Sequence, residues 1–235
     1  MERLDKIIAT ALQISRKDAI ALIKRGRIEV NKETIKDPKA KFNENGAVLF
    51  CDNEQIYYNK YVYIMMNKPK GVISASNGKG EKTVVDILPP NMKRKNLFPA
   101  GRLDKDTTGF MLITDDGELA LSILSPKNFI PKTYIAKLDK PFNDEIIREF
   151  EKGIELKDAK CLGASLEPVD GDYQVGKVII KQGMYHQIKR MFSHFSINVV
   201  ELKRIKMGLL DLDENLKPGE CRYLTKEEIS SLCDK

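Results

Sequence analysis

Apolar positions near the start of the chain recur at helical spacing. Leu4, Ile7, Ile8 and Leu12 predict one helix. Ser15 reads as the N-cap of a second, with Asp18 as its box partner three positions on. Ala19, Ile20, Leu22 and Ile23 supply that helix's apolar face, and Gly26 reads as its stop. RIEVN then alternates, a turn falls near Asn31-Lys32, and a further short strand follows. AVLFC at 47–51 closes a small module, and the polar run DNEQIYYNK at 52–60 reads as a linker on which that module swings. Domains are therefore expected at 1–58 and 59–235.

Beyond residue 60 the period changes. YVYIMMNKP, KTYIAKLDKP and DYQVGKVIIKQG read as strands. Helical stretches intervene. ELALSIL follows a DDG turn, with Asp115 and Glu118 as its expected capping box. NDEIIREFEKG places Ile146, Ile147 and Phe150 on one face and ends at Gly153. MYHQIKRMFSHF carries Ile188, Met191, Phe192 and Phe195, and TKEEISSL opens with a Thr225–Glu228 box. Strands and helices mix without βαβ regularity. The expected fold class is α+β: a small N-terminal α/β module and a larger domain on a mainly antiparallel, mixed sheet.

Charge adds a partner to this picture. The chain has 235 residues and a formal net charge of +6. Residues 1–41 hold eleven basic and six acidic side chains, which leaves +5 there. Such an imbalance favours an anionic partner, nucleic acid first. Arg3, Arg16, Lys17, Lys24, Arg25 and Arg27 form the candidate RNA-contacting set, although a basic helix face can equally be solvated surface. The four cysteines, Cys51, Cys161, Cys221 and Cys233, form no CxxC pair. They suit a reducing compartment. The charged start MERLDK does not read as a signal peptide, and no apolar run reaches the ~20 residues of a membrane span. The expectation is a cytoplasmic protein without a membrane partner.

The densest chemistry lies in GRLDKDTTG, residues 101–109. It lacks the glycine spacing of a phosphate loop, and carboxylates would repel a phosphate. Asp104 or Asp106 must instead hold a cation, move a proton or act as a nucleophile. With Asp115 and Asp116 these acids could bind a divalent metal, although DDG also reads as turn and cap chemistry. The nucleophile reading needs a cation to keep the acid ionised and a group to position substrate. KTY, with Tyr134, and GMYHQIKR, with Lys189 and Arg190, offer both downstream.

The order GRLDKDTTG, KTY, GMYHQIKRMF closely resembles the RsuA-type ribosomal RNA pseudouridine synthases. RLDKII and SRKDAIALIKRGRIEVN resemble the alpha-L RNA-binding module that many of them carry. The resemblance runs from Arg3 to the terminal helix. It implies that Asp104 is the catalytic aspartate and that Arg102 helps displace the target base from its stack. It matches Tyr134 to the tyrosine that packs on the flipped uracil, where its phenol is a candidate to take the proton from carbon 5. Lys189 matches the cation paired with the catalytic carboxylate, and Leu202 in ELKRIKMG an apolar neighbour of the pocket. Gln187 and Arg190 in the same motif are expected to bind substrate. No cofactor and no metal are implied, because the isomerisation involves no redox change and no net hydrolysis.

DTTGFMLITDDGE resembles the small-subunit type; large-subunit relatives more often carry Glu in place of Thr108 and Asn in place of Asp115. The lack of a basic tail beyond Lys235 points the same way. The expected partner is 16S ribosomal RNA, free or in a partly assembled small subunit, met by a monomer. Large-subunit RNA is the first alternative. A non-catalytic RNA-binding assembly protein and a metal-dependent nuclease are the competing classes.

Overall fold

The computed structural model describes residues 1–43 and 47–233; the expectation resting on Lys235 lies outside them. The chain divides into two compact units, Met1–Val62 and Tyr63–Lys235.

In the first unit β1 (Glu2–Arg3) leads into α1 (Leu4–Ala11), and α2 (Arg16–Lys24) follows. The Ser15 side chain caps α2 by accepting from the Asp18 amide, and its hydroxyl donates to the Asp18 carboxylate. Gly26 ends the helix at φ +72°, a conformation that costs glycine little. β2 (Ile28–Val30) and β3 (Glu33–Thr34) flank the tight turn at Asn31 and Lys32, both at positive φ. β4 (Lys41–Phe42) pairs with β1. β5 (Leu49–Cys51) and β6 (Glu54–Ile56) complete a four-stranded sheet in the order β3-β2-β5-β6. Leu4, Ile7, Ile8, Ala19, Ile23, Ile28, Val30 and Leu49 form one core between helices and sheet.

The expected linker at 52–60 is therefore a correction. Asp52 and Asn53 sit at positive φ and turn the chain straight back into β6. This hairpin chemistry is what made the stretch look polar. Asp52 is further tied to Arg27 by a two-pronged ion pair.

The second unit is built on a nine-stranded sheet. β7 (Tyr63–Lys68), β8 (Phe98–Pro99) and β9 (Thr108–Thr114) come first, and α3 (Gly117–Leu124) follows. The cap of α3 is Asp116, which accepts from the amides of Glu118 and Leu119. Asp115, the expected cap, instead pairs with Arg94 at 2.5 Å. β10 (Lys132–Leu138) precedes α4 (Asp144–Lys152), and the small hairpin of β11 (Glu155–Leu156) and β12 (Ala159–Lys160) comes next. β13 (Ser165–Val169), β14 (Asp172–Ile180), α5 (Gln187–Ser193) and β15 (Val199–Met207) follow. β16 (Leu210–Asp211), β17 (Cys221–Tyr223) and α6 (Lys226–Ser231) end the fold, α6 opening with the expected Thr225–Glu228 capping box.

The main sheet runs β13-β14-β10-β15-β9-β7-β17. Every pairing along it is antiparallel except β15 with β9, where Lys203 opposes Thr108 and Arg204 opposes Gly109. That short parallel seam joins the two halves of the sheet, and Gly109 is what permits it. Its φ is +97°, and a Cβ there would stand 2.1 Å from the Arg204 carbonyl oxygen. Met65, Phe110, Leu112, Ile123 and Met207 bury one core cluster. Phe142, Phe150 and Phe192 make a second packing centre, with Phe150 and Phe192 centroids 4.9 Å apart.

Candidate active site

The GRLDKDTTG stretch runs into the first two residues of β9, and three groups from the exit of β7 pin it. Lys68 ends β7, after Asn67, and is fully buried. Its ammonium donates to the carbonyls of Pro69, Lys105 and Thr107 at 3.1, 3.3 and 2.9 Å. Burial pulls its pKa down to about 8. The Gly71 amide donates to the Lys105 carbonyl at 2.8 Å. Ser74 brackets Leu103: its hydroxyl donates to the carbonyl and accepts from the amide, at 2.8 and 3.0 Å. The main chain on both sides of Asp104 is thus held from beneath.

Asp104 carries two partners. Lys189 Nζ lies 3.1 Å from Oδ2, and His186 Nε2 lies 3.3 Å from Oδ1. Lys189 also binds Asp106 at 2.7 and 2.8 Å. Burial of the ammonium opposes its charge, but the bonds to Asp106 and Asp104 win and raise its pKa. The same ammonium holds the Asp106 carboxyl below its ordinary range.

Exposure separates the two acids. The Asp104 side chain is 26% exposed and that of Asp106 is 69%. Asp104 also lines both a cavity of about 590 Å³ and an adjoining recess of about 70 Å³. Asp104 is the acid that faces a substrate-sized space.

Tyr134 lies on β10, 7% exposed, and borders both spaces, as does Arg102. Leu202 and Gln187 line the recess. Gln187 accepts from the Met184 amide and donates to Gln182, which fixes the loop before α5. Lys132 and Arg204 lie on the same face as Tyr134 and border the larger cavity. Burial, with the Arg204 charge nearby, lowers the Lys132 pKa to about 8.

Other expected residues have partners of their own. Arg190 borders neither space; its guanidinium is ion-paired to Asp158 beside the β11–β12 hairpin. Arg3 and Arg16 both clamp the buried Asp5, at 2.8 and 3.2 Å, and Arg27 holds Asp52. Each of these guanidiniums thus has a carboxylate partner within the first unit. Lys17, Lys24 and Arg25 make no ion pair among the described residues. The acidic cluster disperses too: Asp115 goes to Arg94, and Asp116 caps α3 and accepts from the Tyr63 hydroxyl at 2.6 Å. Among the described residues no three His, Cys, Asp or Glu side chains converge as a metal-binding group would.

Residues 62–194 match the family described as RNA pseudouridylate synthase. The chain belongs to this family. Its members isomerise uridine to pseudouridine in RNA, and the present chain is such an isomerase. Residues 2–48 match the S4 domain. The chain is 40% identical over 233 residues to an RNA pseudouridine synthase of Bacillus subtilis, YtzG, covering 98% of each. It is 39% identical to the ribosomal small subunit pseudouridine synthase A of Escherichia coli, covering 98% of this chain and 99% of that one. A crystal structure of a pseudouridylate synthase superposes with a TM-score of 0.69 at 33% identity, over 99% of this chain and 100% of the other. No helix among the described residues is long and apolar enough to cross a membrane.

Proposed function

We propose that this synthase isomerises a uridine of 16S ribosomal RNA, with Asp104 as the reacting carboxylate. The observation that carries the reading is the convergence of Asp104, its counter-charge Lys189, Tyr134 and Leu202 on one recess. The relatives named for the small ribosomal subunit supply the RNA.

The reaction exchanges one glycosidic bond for another. The C1′–N1 bond breaks, the uracil turns, C1′–C5 forms, C5 loses its proton and N1 gains one. Nothing is oxidised and no water is consumed. The uridine must first leave its stack, at a cost of a few kcal/mol. Stacking of the base on Tyr134 returns ~1–3 kcal/mol, and Arg102 at the mouth occupies the position the base has left. Lys189 supplies the counter-charge beside Asp104 for its attack or proton transfer. The Tyr134 phenol is the nearby acceptor for the C5 proton. Lys17, Lys24 and Arg25 of the S4 domain serve as phosphate contacts. In this reading the enzyme is a cytoplasmic monomer that meets its RNA free or in a partly assembled small subunit.

The test is site mapping. Unmodified 16S and 23S RNA, free and partly assembled, are incubated with the enzyme with and without Mg²⁺, then labelled with carbodiimide and read by primer extension. One new stop in 16S, absent with Asp104→Asn, is the expected result. A stop only in 23S overturns the choice of RNA, and a stop that survives Asp104→Asn overturns the role of the carboxylate.

A further inference from the structure

Tyr185 is the most conspicuous side chain that the isomerisation leaves without a task. It lies between the end of β14 and α5, with 72% of its surface exposed. Its hydroxyl makes no hydrogen bond among the described residues. Its ring is not loose, however: it stacks on His186 with centroids 3.9 Å apart and planes 15° from parallel.

Neighbouring side chains on an extended strand point to opposite sides. Here His186 adopts a left-handed backbone, φ +48° and ψ +34°, which puts both rings on one side. A non-glycine residue held there stores strain, and such strain gathers at functional sites. The arrangement is braced at both ends. His186 is fixed through Nε2 to Asp104 at 3.3 Å. The Tyr185 carbonyl accepts from Arg190 at 3.4 Å, and the preceding Met184 amide donates to Gln187 at 3.1 Å. Both rings border the cavity that holds Asp104, Tyr134 and Arg102.

We propose that the Tyr185–His186 pair is a stacking ledge for a nucleobase flanking the target uridine in the RNA. The inference rests on the pseudouridine synthase reading of the same cavity. When the uridine is extruded, a neighbouring base loses a stacking partner. The outward face of Tyr185, backed by a second ring, replaces that partner at the cavity rim. A π-face accepts any base and favours those that stack strongly. The ledge therefore contributes binding and register more than chemistry. It is distinct from Tyr134, which packs on the reacting uracil inside.

The test uses full-length enzyme and a 16S fragment containing the mapped uridine, with 2-aminopurine placed in turn at each flanking position. In the Asp104→Asn background, fluorescence at one flanking position is quenched on binding. The quench persists in Tyr185→Phe and is lost in Tyr185→Ala. In the otherwise wild-type enzyme, Tyr185→Ala raises KM roughly 5- to 150-fold, the span of one base–aromatic stack, while kcat stays within about twofold. Because Tyr185 is exposed, the substitution leaves the fold intact, which circular dichroism verifies. An unchanged quench in Tyr185→Ala, or a fall in kcat at constant KM, overturns the ledge. Failure of the parent reading is separate: pseudouridine that still forms with Asp104→Asn, while a flanking base is quenched, keeps the ledge and overturns the role of the carboxylate.

Discussion

Replacing Lys189 by Met isolates the counter-charge of Asp104. At 3.1 Å, and with an effective dielectric constant near 20, the bare attraction is about 5 kcal/mol. The pair is part-exposed, at 23% and 26%, so solvent screens some of this. His186 stays as a second partner. A loss of about 2–3 kcal/mol remains, the range of a charge-assisted hydrogen bond, which slows turnover roughly 30- to 150-fold. Single-turnover tritium release from RNA carrying 5-tritiated uridine gives the rate, and filter binding gives Kd. The rate should drop while Kd changes less than threefold, and Lys189→Arg should recover most of the rate. If Kd weakens as much as the rate falls, Lys189 is a phosphate contact and the pairing with Asp104 carries no catalytic weight.

Asp106→Asn should lower kcat less than about threefold, since that acid is exposed and its loss leaves Lys189 wholly to Asp104; a defect as deep as that of Asp104→Asn would exchange the roles assigned to the two acids. Gly109→Ala should cost more than ~3 kcal/mol in urea denaturation, because it combines positive φ with a backbone clash. Lys132 titrates near 8 when folded and near 10.5 when unfolded, so between those values the unfolded chain binds more protons and stability rises with pH. The rise attributable to Lys132 is about 3 kcal/mol across that window, and denaturation of Lys132→Met against wild type from pH 7 to 10 should show it missing. Neutralising Lys17, Lys24 and Arg25 together should flatten the salt dependence of RNA binding by up to three phosphate contacts, whereas removing the ion-paired Arg16 should lower the stability of the first unit instead.

Local signals in the chain were read well where a local rule governs the outcome. Caps at Ser15 and Thr225, the stop at Gly26 and the turn at Asn31-Lys32 each depend on a few adjacent residues. The α+β class with a mainly antiparallel sheet followed from alternating strands without βαβ order. The linker at 52–60 was misread because hairpin turns and linkers share polar residues. Asp115 and Asp116 are adjacent and equally suited to cap α3; only Arg94, distant in sequence, decides between them. At the site, the meeting of Asp104 with Lys189 was expected through family resemblance, and composition alone could not have supplied it. Lys68 and Ser74 were missed, although a lysine ending a strand just before Pro69 was a visible oddity. His186 has no assigned role in the sequence reading, because its partner is one that only the fold provides. The basic residues of the first unit show the converse: charge was legible, but which charges Asp5 and Asp52 consume was not.

The parallel seam between β9 and β15 makes enzymatic competence a late event in the life of the chain. β7, β8 and β9 can pair as soon as they leave the ribosome, since they are close in sequence. Contacts across long stretches of chain form last, because loop closure must precede their reward. Lys189 and Leu202 arrive only with α5 and β15, and the register of β15 against Thr108 and Gly109 then brings the second half of the site to Asp104. An incomplete chain carries the acid without its counter-charge and without the walls of its recess. RNA is thus modified only by molecules whose final strands have found their place.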